Sequence, residues 1–409
     1  MHVMLVADGR SPTTRGWIRA LQAIGNRVTL VSTYPCDPIA GVQDCFVLPV
    51  ALGNLAGSQA GGRGGRRSGL RKALGRSRNL VLGARYWLGP LTVPYYAKKL
   101  KKIAEQVKPD LTHALRIPFE GMLLAAAQLD VPMAVSIWGN DLTLHARGSR
   151  WMAKHTTATL RRANGLLADA QRDIRLGKAW GFSPQRASMV LPGAGGIDLV
   201  EMHRIRSQAG ESLDDLLHGI TPPIPDGAPL VINPRGFRPG SVRNDTFFES
   251  VPLTLERRPD IAYLCTGMAG QAEAIKALDR HKLHGRVHLL PLLPQAQLWN
   301  LFERAAIMLS VSSHDGTPNS LLEAMACGAF PIAGDIESLR EWITPGVNGL
   351  LVEPHKPQSL ADAVLTALDN PDLLSRAQGC NLRIIRERAE SELVRSQIGV
   401  FYWRVLYQT

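Results

Sequence analysis

Acidic residues are missing from the chain between Cys45 and Ala104. Over the same stretch Arg63, Arg66, Arg67, Arg71, Lys72, Arg76, Arg78, Arg85, Lys98, Lys99, Lys101 and Lys102 supply as many positive charges as the whole formal net charge of +12. Long hydrophobic runs are missing too. No stretch of some 20 apolar residues occurs, and MHVMLVADGR enters a strand directly instead of a cleavable signal, so the expectation is a cytoplasmic chain without a membrane span. Cysteine is sparse: Cys36, Cys45, Cys265, Cys327 and Cys380 are scattered, odd in number and without CxxC or Cys/His spacing. Neither a disulfide framework nor a zinc site is implied, and buried free thiols are expected. A G-x-G-x-x-G fingerprint is also lacking, so no nicotinamide cofactor is indicated.

A chain of 409 residues outgrows the single cores that stop near about 250–300 residues, and two domains are expected. HVMLVAD reads as a strand, GRSPTT as a loop, TRGWIRALQAIG as a helix and RVTLVST as a second strand. That βαβ opening predicts a parallel sheet with helices on both faces. YYAKKLKKIAEQV continues as a helix, PDLTHALRIPFEGMLLAAAQLD as strand, turn and helix, and PMAVSIW as a strand. RRANGLLADAQRDIRLGKAWGFSPQRASMVLPGAGGIDL follows as helix, strand, helix and strand. The pattern loosens from Glu201 to Gly227, and PPIPDGAP reads as a linker. The rhythm then restarts with strand PLVINPRG, helix NDTFFESVPLTLERR, strand IAYLCTG, helix QAEAIKALDRHKL, strand RVHLLP and helix AQLWNLFERA. The expected boundaries are 1–200, a linker at 201–228, a second domain at 229–390, and a last helix at 391–409.

The most informative stretch runs from Ser310 to Val352. Thr317 reads as the N-cap, Pro318 as the first helical residue and Gly328 as the stop of a short helix, SLLEAMAC, that follows the strand IMLSVS. Leu321, Leu322, Ala324, Met325, Ala326 and Cys327 leave that helix no wide polar face, so it should be buried. Glu323 sits in its middle, where a carboxylate is costly without a partner, and a ligand hydroxyl is the expected partner. Asp315 lies in the loop that feeds the helix, about 10 Å away at the usual rise per residue. Between the two acids, the N–H groups around Thr317, Asn319 and Ser320 point outward at a positive helix end suited to a diphosphate. Taken alone, the pair could equally be a solvated Asp and a salt-bridged Glu in an ordinary α/β domain.

The full run resembles the donor-site signature of the retaining family-4 glycosyltransferases (glycosyl transferases group 1), which have the GT-B fold. The matching residues are Asp315, Glu323, Ala324, Met325, Ala326, Gly328, Asn348, Gly349, Leu351 and Val352, with Asp315 standing where the family usually has Glu. The resemblance implies two Rossmann-like parallel-sheet domains facing a deep interdomain cleft, with the C-terminal helix crossing back to the first domain. It implies a metal-independent, configuration-retaining enzyme that moves a sugar from a UDP- or GDP-linked donor to a saccharide or lipid-linked acceptor in envelope or exopolysaccharide synthesis. No cofactor is expected beyond that co-substrate, and no D-x-D pair is present to hold a divalent ion.

Site residues follow from the same resemblance. Arg235 and, across a loop slightly longer than usual, Arg243 clasp the diphosphate, with Arg238 in reserve. Glu323 takes the ribose hydroxyls, and Asp315, next to Gly316, a donor-sugar hydroxyl. Backbone near Leu290 and Leu293 meets the base, and Gly196, Ile197 and Asp198 match the strand-exit motif beside the donor sugar. On the acceptor side the cleft is expected to involve Gly9, Arg10, Thr13, His113, Arg116, Trp138 and Asp141. Trp138 stands where many members have a catalytically engaged His, and the first loop has Gly9 alone where two glycines are usual. Two further readings stay open: a GT-B-shaped sugar-nucleotide epimerase or phosphorylase, and a non-catalytic sugar-nucleotide binder.

The basic segment, 63–102, interleaves its charges with Leu70, Leu74, Leu80, Tyr86, Trp87, Leu88, Leu91, Tyr95 and Tyr96. That mixture suits an anionic membrane surface, so peripheral attachment to the inner face of the cytoplasmic membrane is preferred. A solvated glycine-rich loop and a nucleic-acid contact are the alternatives, and no nucleic-acid partner is expected.

Overall fold

The computed structural model describes residues 1–51, 78–208, 210–238 and 240–408. The charges from Arg63 to Arg76 therefore lie outside the described residues. Two compact units emerge, one made of Met1–Gly196 with the C-terminal residues from Glu392 on, the other of Ile197–Ser391.

The first unit is built on β1 (His2–Ala7), β2 (Arg27–Ser32), β3 (Asp44–Val47), β4 (Leu111–Ala114), β5 (Met133–Ile137), β6 (Gly165–Ala168) and β7 (Ala187–Val190). They pair all-parallel in the order β3-β2-β1-β4-β5-β6-β7. Alternation places Val3, Leu5 and Ala7 in one core with Trp17 and Ile18, and Met4 and Val6 in another with Val93 and Leu100, so helices cover both faces as the βαβ opening predicts. The edge strand β3, DCFV, has largely exposed side chains and no alternation, which is why the sequence reading passes over it.

The second unit repeats the plan with β8 (Leu230–Asn233), β9 (Ala262–Cys265), β10 (Val287–Leu289), β11 (Ile307–Ser310), β12 (Phe330–Gly334) and β13 (Leu350–Val352). Their order is β10-β9-β8-β11-β12-β13, again parallel throughout. In both sheets the winding reverses between the first strand and the next to pair on its other side, β1 with β4 and β8 with β11. Ligands of such sheets bind outside the carboxyl ends of strands at that reversal. The loops placed there are the ones after Ala7 and Ala114 in the first unit, and after Asn233 and Ser310 in the second.

Three departures from the sequence reading have physical reasons. Residues 201–228, read as a linker, contain the helices Leu199–Gln208 and Gly210–His218, whose Met202 and Leu213 are buried in the second unit's core. The helix expected from Tyr95 runs from Arg78 to Val107 and contains Pro90 and Pro94. Pro90 frees the Tyr86 carbonyl four residues back, and Ser149 Oγ donates to that carbonyl at 2.8 Å, so the break a proline normally causes is repaired from outside. All five thiols are free, but burial holds only for Cys265 and Cys327, while Cys45 is exposed.

The last helix, Ser391–Tyr407, belongs with the first unit. Val394, Ile398, Phe401, Tyr402 and Val405, at helical spacing, are fully buried there. Gly165 opens β6 beneath them, and a side chain at that position would collide with Val405 and Phe401.

Candidate functional site

At the carboxyl ends of β8 and β11 the second unit gathers Arg235, Ser312, Asp315 and Ser320. The Arg235 guanidinium, only 6 % exposed, donates through Nη2 to Asp315 Oδ2 and through Nη1 to Ser320 Oγ at 3.2 Å. Asp315 Oδ2 also accepts from Ser312 Oγ at 3.0 Å, and its Oδ1 from the Gly316 N–H at 3.1 Å. Ser338 Oγ donates to the Asp315 carbonyl at 2.8 Å and holds the loop from behind. Asp315 is thus occupied by the protein, where the resemblance leaves it for a sugar hydroxyl. Arg235 Nε is buried without a partner. The neighbouring Arg235 charge, with burial second, pushes Arg238 down to about 10, although its side chain reaches solvent. Two crowded guanidiniums against one carboxylate leave a positive excess at this loop.

The helix runs from Asn319 to Cys327 and stops at Gly328, whose φ of 95° is the left-handed conformation that favours glycine. Its N-cap is Pro318, not Thr317. Trp342 Nε1 donates to Thr317 Oγ1 at 2.8 Å, which takes up the hydroxyl that would have capped the helix. Glu323 has a protein partner after all, since Gln295 Nε2 donates to its Oε1 at 3.0 Å. Burial raises the Glu323 carboxyl to about 7, against the opposing pull of Gln295 and Trp299. Trp299 Nε1 is itself buried with no acceptor in hydrogen-bond geometry. Glu323 thus has Gln295 on Oε1 and the Trp299 indole beside its carboxyl.

The other expected donor-site residues divide. Arg243 stands at the N-cap of the helix Asn244–Leu255 and pairs with Asp245, its Nε donating to Asp245 Oδ1 at 2.9 Å. Leu290 and Leu293 are buried. Both backbone groups of Leu290 are spent on the turn, its N–H on Cys265 O at 2.8 Å and its carbonyl on the N–H groups of Met268 and Ala269 at 3.0 Å each. A base cannot pair with Leu290 itself while that turn is intact. Gly196 has a left-handed φ, 88°. The close approach in this loop is to the first helix, where a side chain on Gly195 would meet Ala20 and the Gly16 carbonyl.

In the first unit, Asp8 and Arg10 form an ion pair at 2.9 Å, with the Arg10 guanidinium 3.7 Å over the Tyr34 ring. A side chain on Gly9 would strike Cys36 and Ser32, and Thr13 is buried in the first helix. Asp141, fully buried, accepts from Arg116 Nη2 at 2.9 Å, Ile117 N at 3.0 Å and Trp138 N at 3.4 Å. It ties the loop after β4 to the loop after β5. His113 is a correction. It is fully buried, its Nδ1 lies 2.6 Å from Tyr402 OH and its Nε2 2.9 Å from Ser136 Oγ, so it is a satisfied core histidine and lines no cleft. Burial lowers it to about 3.

Sequence reasoning missed Gln295, Trp299, Glu120 and Arg85. Glu120 alone carried a signal, an acidic residue in the otherwise apolar run IPFEGMLLAAA.

Residues 238–370 match the family described as Glycosyl transferases group 1, and residues 89–170 match Glycosyl transferase 4-like, together just over half of the chain. A D-inositol 3-phosphate glycosyltransferase from Thermobispora bispora is 37% identical over 90 residues, 22% of this chain and 21% of that protein. A GDP-mannose:cellobiosyl-diphosphopolyprenol alpha-mannosyltransferase from Xanthomonas campestris is 29% identical over 119 residues, 28% of this chain and 31% of that protein. The matched stretches thus span between a fifth and a third of these relatives' lengths. Among solved structures, sucrose-phosphate synthase from Thermosynechococcus elongatus superposes with a TM-score of 0.73 at 17% identity, covering 100% of both chains. HepE from Anabaena, in complex with UDP, gives 0.68 at 15% identity, covering 98% of this chain and 99% of that one. These likenesses show a shared fold.

Proposed function

From the premise that the chain belongs to glycosyltransferase family 4 and has the GT-B fold, we propose that it moves a glycosyl group from a nucleotide-sugar donor to an acceptor hydroxyl. The observation that carries this is the positive loop around Arg235 at the end of β8, set against the helix that holds Glu323. Breaking the anomeric C–O bond puts negative charge on the departing diphosphate. Arg235, Arg238, Arg243 and the N–H groups at the start of the helix Asn319–Cys327 meet that charge with fixed cations and dipoles, and no metal ion is needed for it. Arg235 exchanges its bond to Asp315 for the diphosphate, which frees the Asp315 carboxylate to take a sugar hydroxyl. The Glu323 carboxylate accepts from the ribose. Anomeric configuration is retained, with the departing phosphate accepting the acceptor's proton on the same face, so Trp138 in place of a histidine is tolerated.

The donor carries UDP or GDP, a reading supported by the relative named for GDP-mannose and by the fold-mate bound to UDP. The acceptor is a saccharide or a lipid-linked saccharide, read by the first unit at an anionic membrane surface during envelope or exopolysaccharide assembly on the cytoplasmic side. Support comes from the helix Arg78–Val107. Trp87, Leu88, Leu91 and Tyr95 are exposed, and Lys98, Lys99 and Lys102 are exposed on its following turns. Among the described residues no helix is long and apolar enough to cross a membrane.

The test is a transfer assay with radiolabelled UDP- and GDP-sugars, lipid-linked saccharide acceptors and excess chelator. Label appearing in the acceptor with the donor's anomeric configuration is expected. Free nucleoside diphosphate released without any acceptor would point to an epimerase, and turnover requiring inorganic phosphate to a phosphorylase.

A further inference from the structure

Beside the β1–β4 reversal the first unit encloses a small cavity of about 80 Å³, lined among others by Asp8, Thr33, Tyr34, Arg85, Arg116 and Glu120. That space has room for several waters or one tetrahedral oxyanion. Its polar groups are unevenly satisfied. Asp8 is committed to Arg10 and Asp141 to Arg116. Arg85 lies 4.8 Å over the Phe119 ring and 5.5 Å over the Tyr34 ring, and makes no hydrogen bond or ion pair to any described residue. The Nε atoms of both Arg85 and Arg116 are buried without acceptors. Stacking on ring faces holds a guanidinium while leaving its in-plane donors open.

Glu120 lines the same cavity as Arg85. Glu120 is 3 % exposed, and its Oε1 is held by Thr33 Oγ1 at 3.3 Å. Burial, more than the opposing pull of Arg116, keeps that carboxyl well above the usual carboxylate range. His145, bonded to Tyr86 OH at 2.7 Å, is held neutral by burial and the two arginines. The cavity therefore presents two buried guanidinium Nε–H groups with no acceptor among the described residues, which favours an anion over a cation.

We propose that this cavity is a phosphate subsite for the acceptor, in which Arg85 and the free edge of Arg116 grip one phosphoryl group and Glu120 hydrogen-bonds to it, the rest of the acceptor lying outside. The inference rests on the glycosyltransferase reading for the word acceptor and on nothing in the second unit for the site itself. Arg85 lies two residues before the exposed Trp87 and three before Leu88 on one helix, so the phosphoryl group can belong to a membrane lipid as readily as to a soluble ester.

The experiment titrates the full chain by calorimetry with inorganic phosphate and methyl phosphate, and measures flotation on phosphatidylcholine vesicles with and without phosphatidic acid. Arg85→Leu, Arg85→Lys and Glu120→Gln are compared with the natural chain, all in an Arg235→Leu background that removes the diphosphate grip of the second unit. Phosphate affinity is expected to fall about tenfold or more in Arg85→Leu, the cost of losing hydrogen bonds to a charged group, and to recover in part in Arg85→Lys. Binding of the soluble esters supports a soluble source, and binding only of phosphatidic-acid vesicles supports a lipid source. Unchanged phosphate affinity in Arg85→Leu and Glu120→Gln, or an adventitious ion only, with no dependence on either residue, overturns the proposal. Should Arg85→Leu fail to fold, the Arg85→Lys and Glu120→Gln arms still decide. If no nucleotide binds the natural chain while phosphate binding depends on Arg85, the donor reading falls and the phosphate site stands.

Discussion

Arg235 and Asp315, 80 positions apart in the chain, form an ion pair that ties the exit of β8 to the loop entering the helix Asn319–Cys327. The same guanidinium reaches Ser320 at the start of that helix. The pair fixes the loop, and under the proposed function the cation and the carboxylate part when a diphosphate arrives.

Removing one partner should therefore cost more than the pair is worth. Asp315→Ala leaves the nearly buried Arg235 without its counter-charge and is expected to destabilise by about 3 kcal/mol in urea unfolding, against less for Asp315→Asn. A nucleoside diphosphate should recover more stability in Asp315→Ala than in the natural chain, because it replaces the missing anion. Equal recovery in both would contradict a diphosphate beside Arg235.

Glu323 gives the donor site a pH signature. Its carboxyl is raised to about 7 from an ordinary 4.5. A raised folded value means that the contribution to stability is full below pH 4.5 and is lost as pH rises through 7. The ribose needs the ionised form, so nucleotide affinity should increase as pH climbs through about 7. Calorimetric titrations from pH 5.5 to 8.5 should show that rise, and Glu323→Gln should flatten it.

His113 works in the opposite direction. Its folded value is lowered to about 3 from 6.5, so its contribution is full above pH 6.5 and is lost as pH falls toward 3, where the unfolded chain takes up the proton first. Thermal melts of His113→Gln should show a lower melting temperature at pH 7.5 and a shallower loss between pH 6.5 and 5 than the natural chain.

Ser149 serves two elements. Its Oγ accepts from Met152 N at 3.1 Å as the N-cap of the helix Arg150–Arg162, and donates to the Tyr86 carbonyl that Pro90 leaves free. Ser149→Ala should cost about 2 kcal/mol in chemical unfolding, the upper end for an N-cap, because a carbonyl is orphaned as well.

The exposed face of the helix Arg78–Val107 separates charge from apolar contact. Replacing Trp87, Leu91 and Tyr95 by Ala should weaken binding to anionic vesicles at every salt concentration, whereas replacing Lys98, Lys99 and Lys102 by Glu should remove it mainly at low salt. Vesicle binding that survives both sets of changes, and the reversal of Arg63, Arg66, Arg67, Arg71 and Lys72 to Glu, would contradict the membrane reading.

Local signals were legible in the sequence. The two βα rhythms gave parallel sheets, and Gly328 marked the end of its helix because few other residues take its φ. Arg235 was legible as the cation at a strand exit. Partners supplied from far along the chain were not. Gln295 reaches Glu323 from another helix, Tyr402 reaches His113 from the opposite end of the chain, and Ser149 takes up the Tyr86 carbonyl that Pro90 leaves free. Each is a tertiary hydrogen bond, which leaves no periodic trace in sequence. Arg85 stayed hidden for a different reason, lying among so many basic residues that its stacking on Phe119 and Tyr34, with no ion pair among the described residues, showed only when its neighbours were placed.

The most direct measurement is a thermal-shift comparison of UDP, GDP, ADP and inorganic phosphate on the natural chain and Glu323→Ala, without added metal. One nucleoside diphosphate at a hundred times its dissociation constant should stabilise the natural chain by about 2.7 kcal/mol and leave Glu323→Ala unmoved. A chain that responds to none of them, or a Glu323→Ala variant that responds equally, would contradict a nucleotide-sugar site in the second unit.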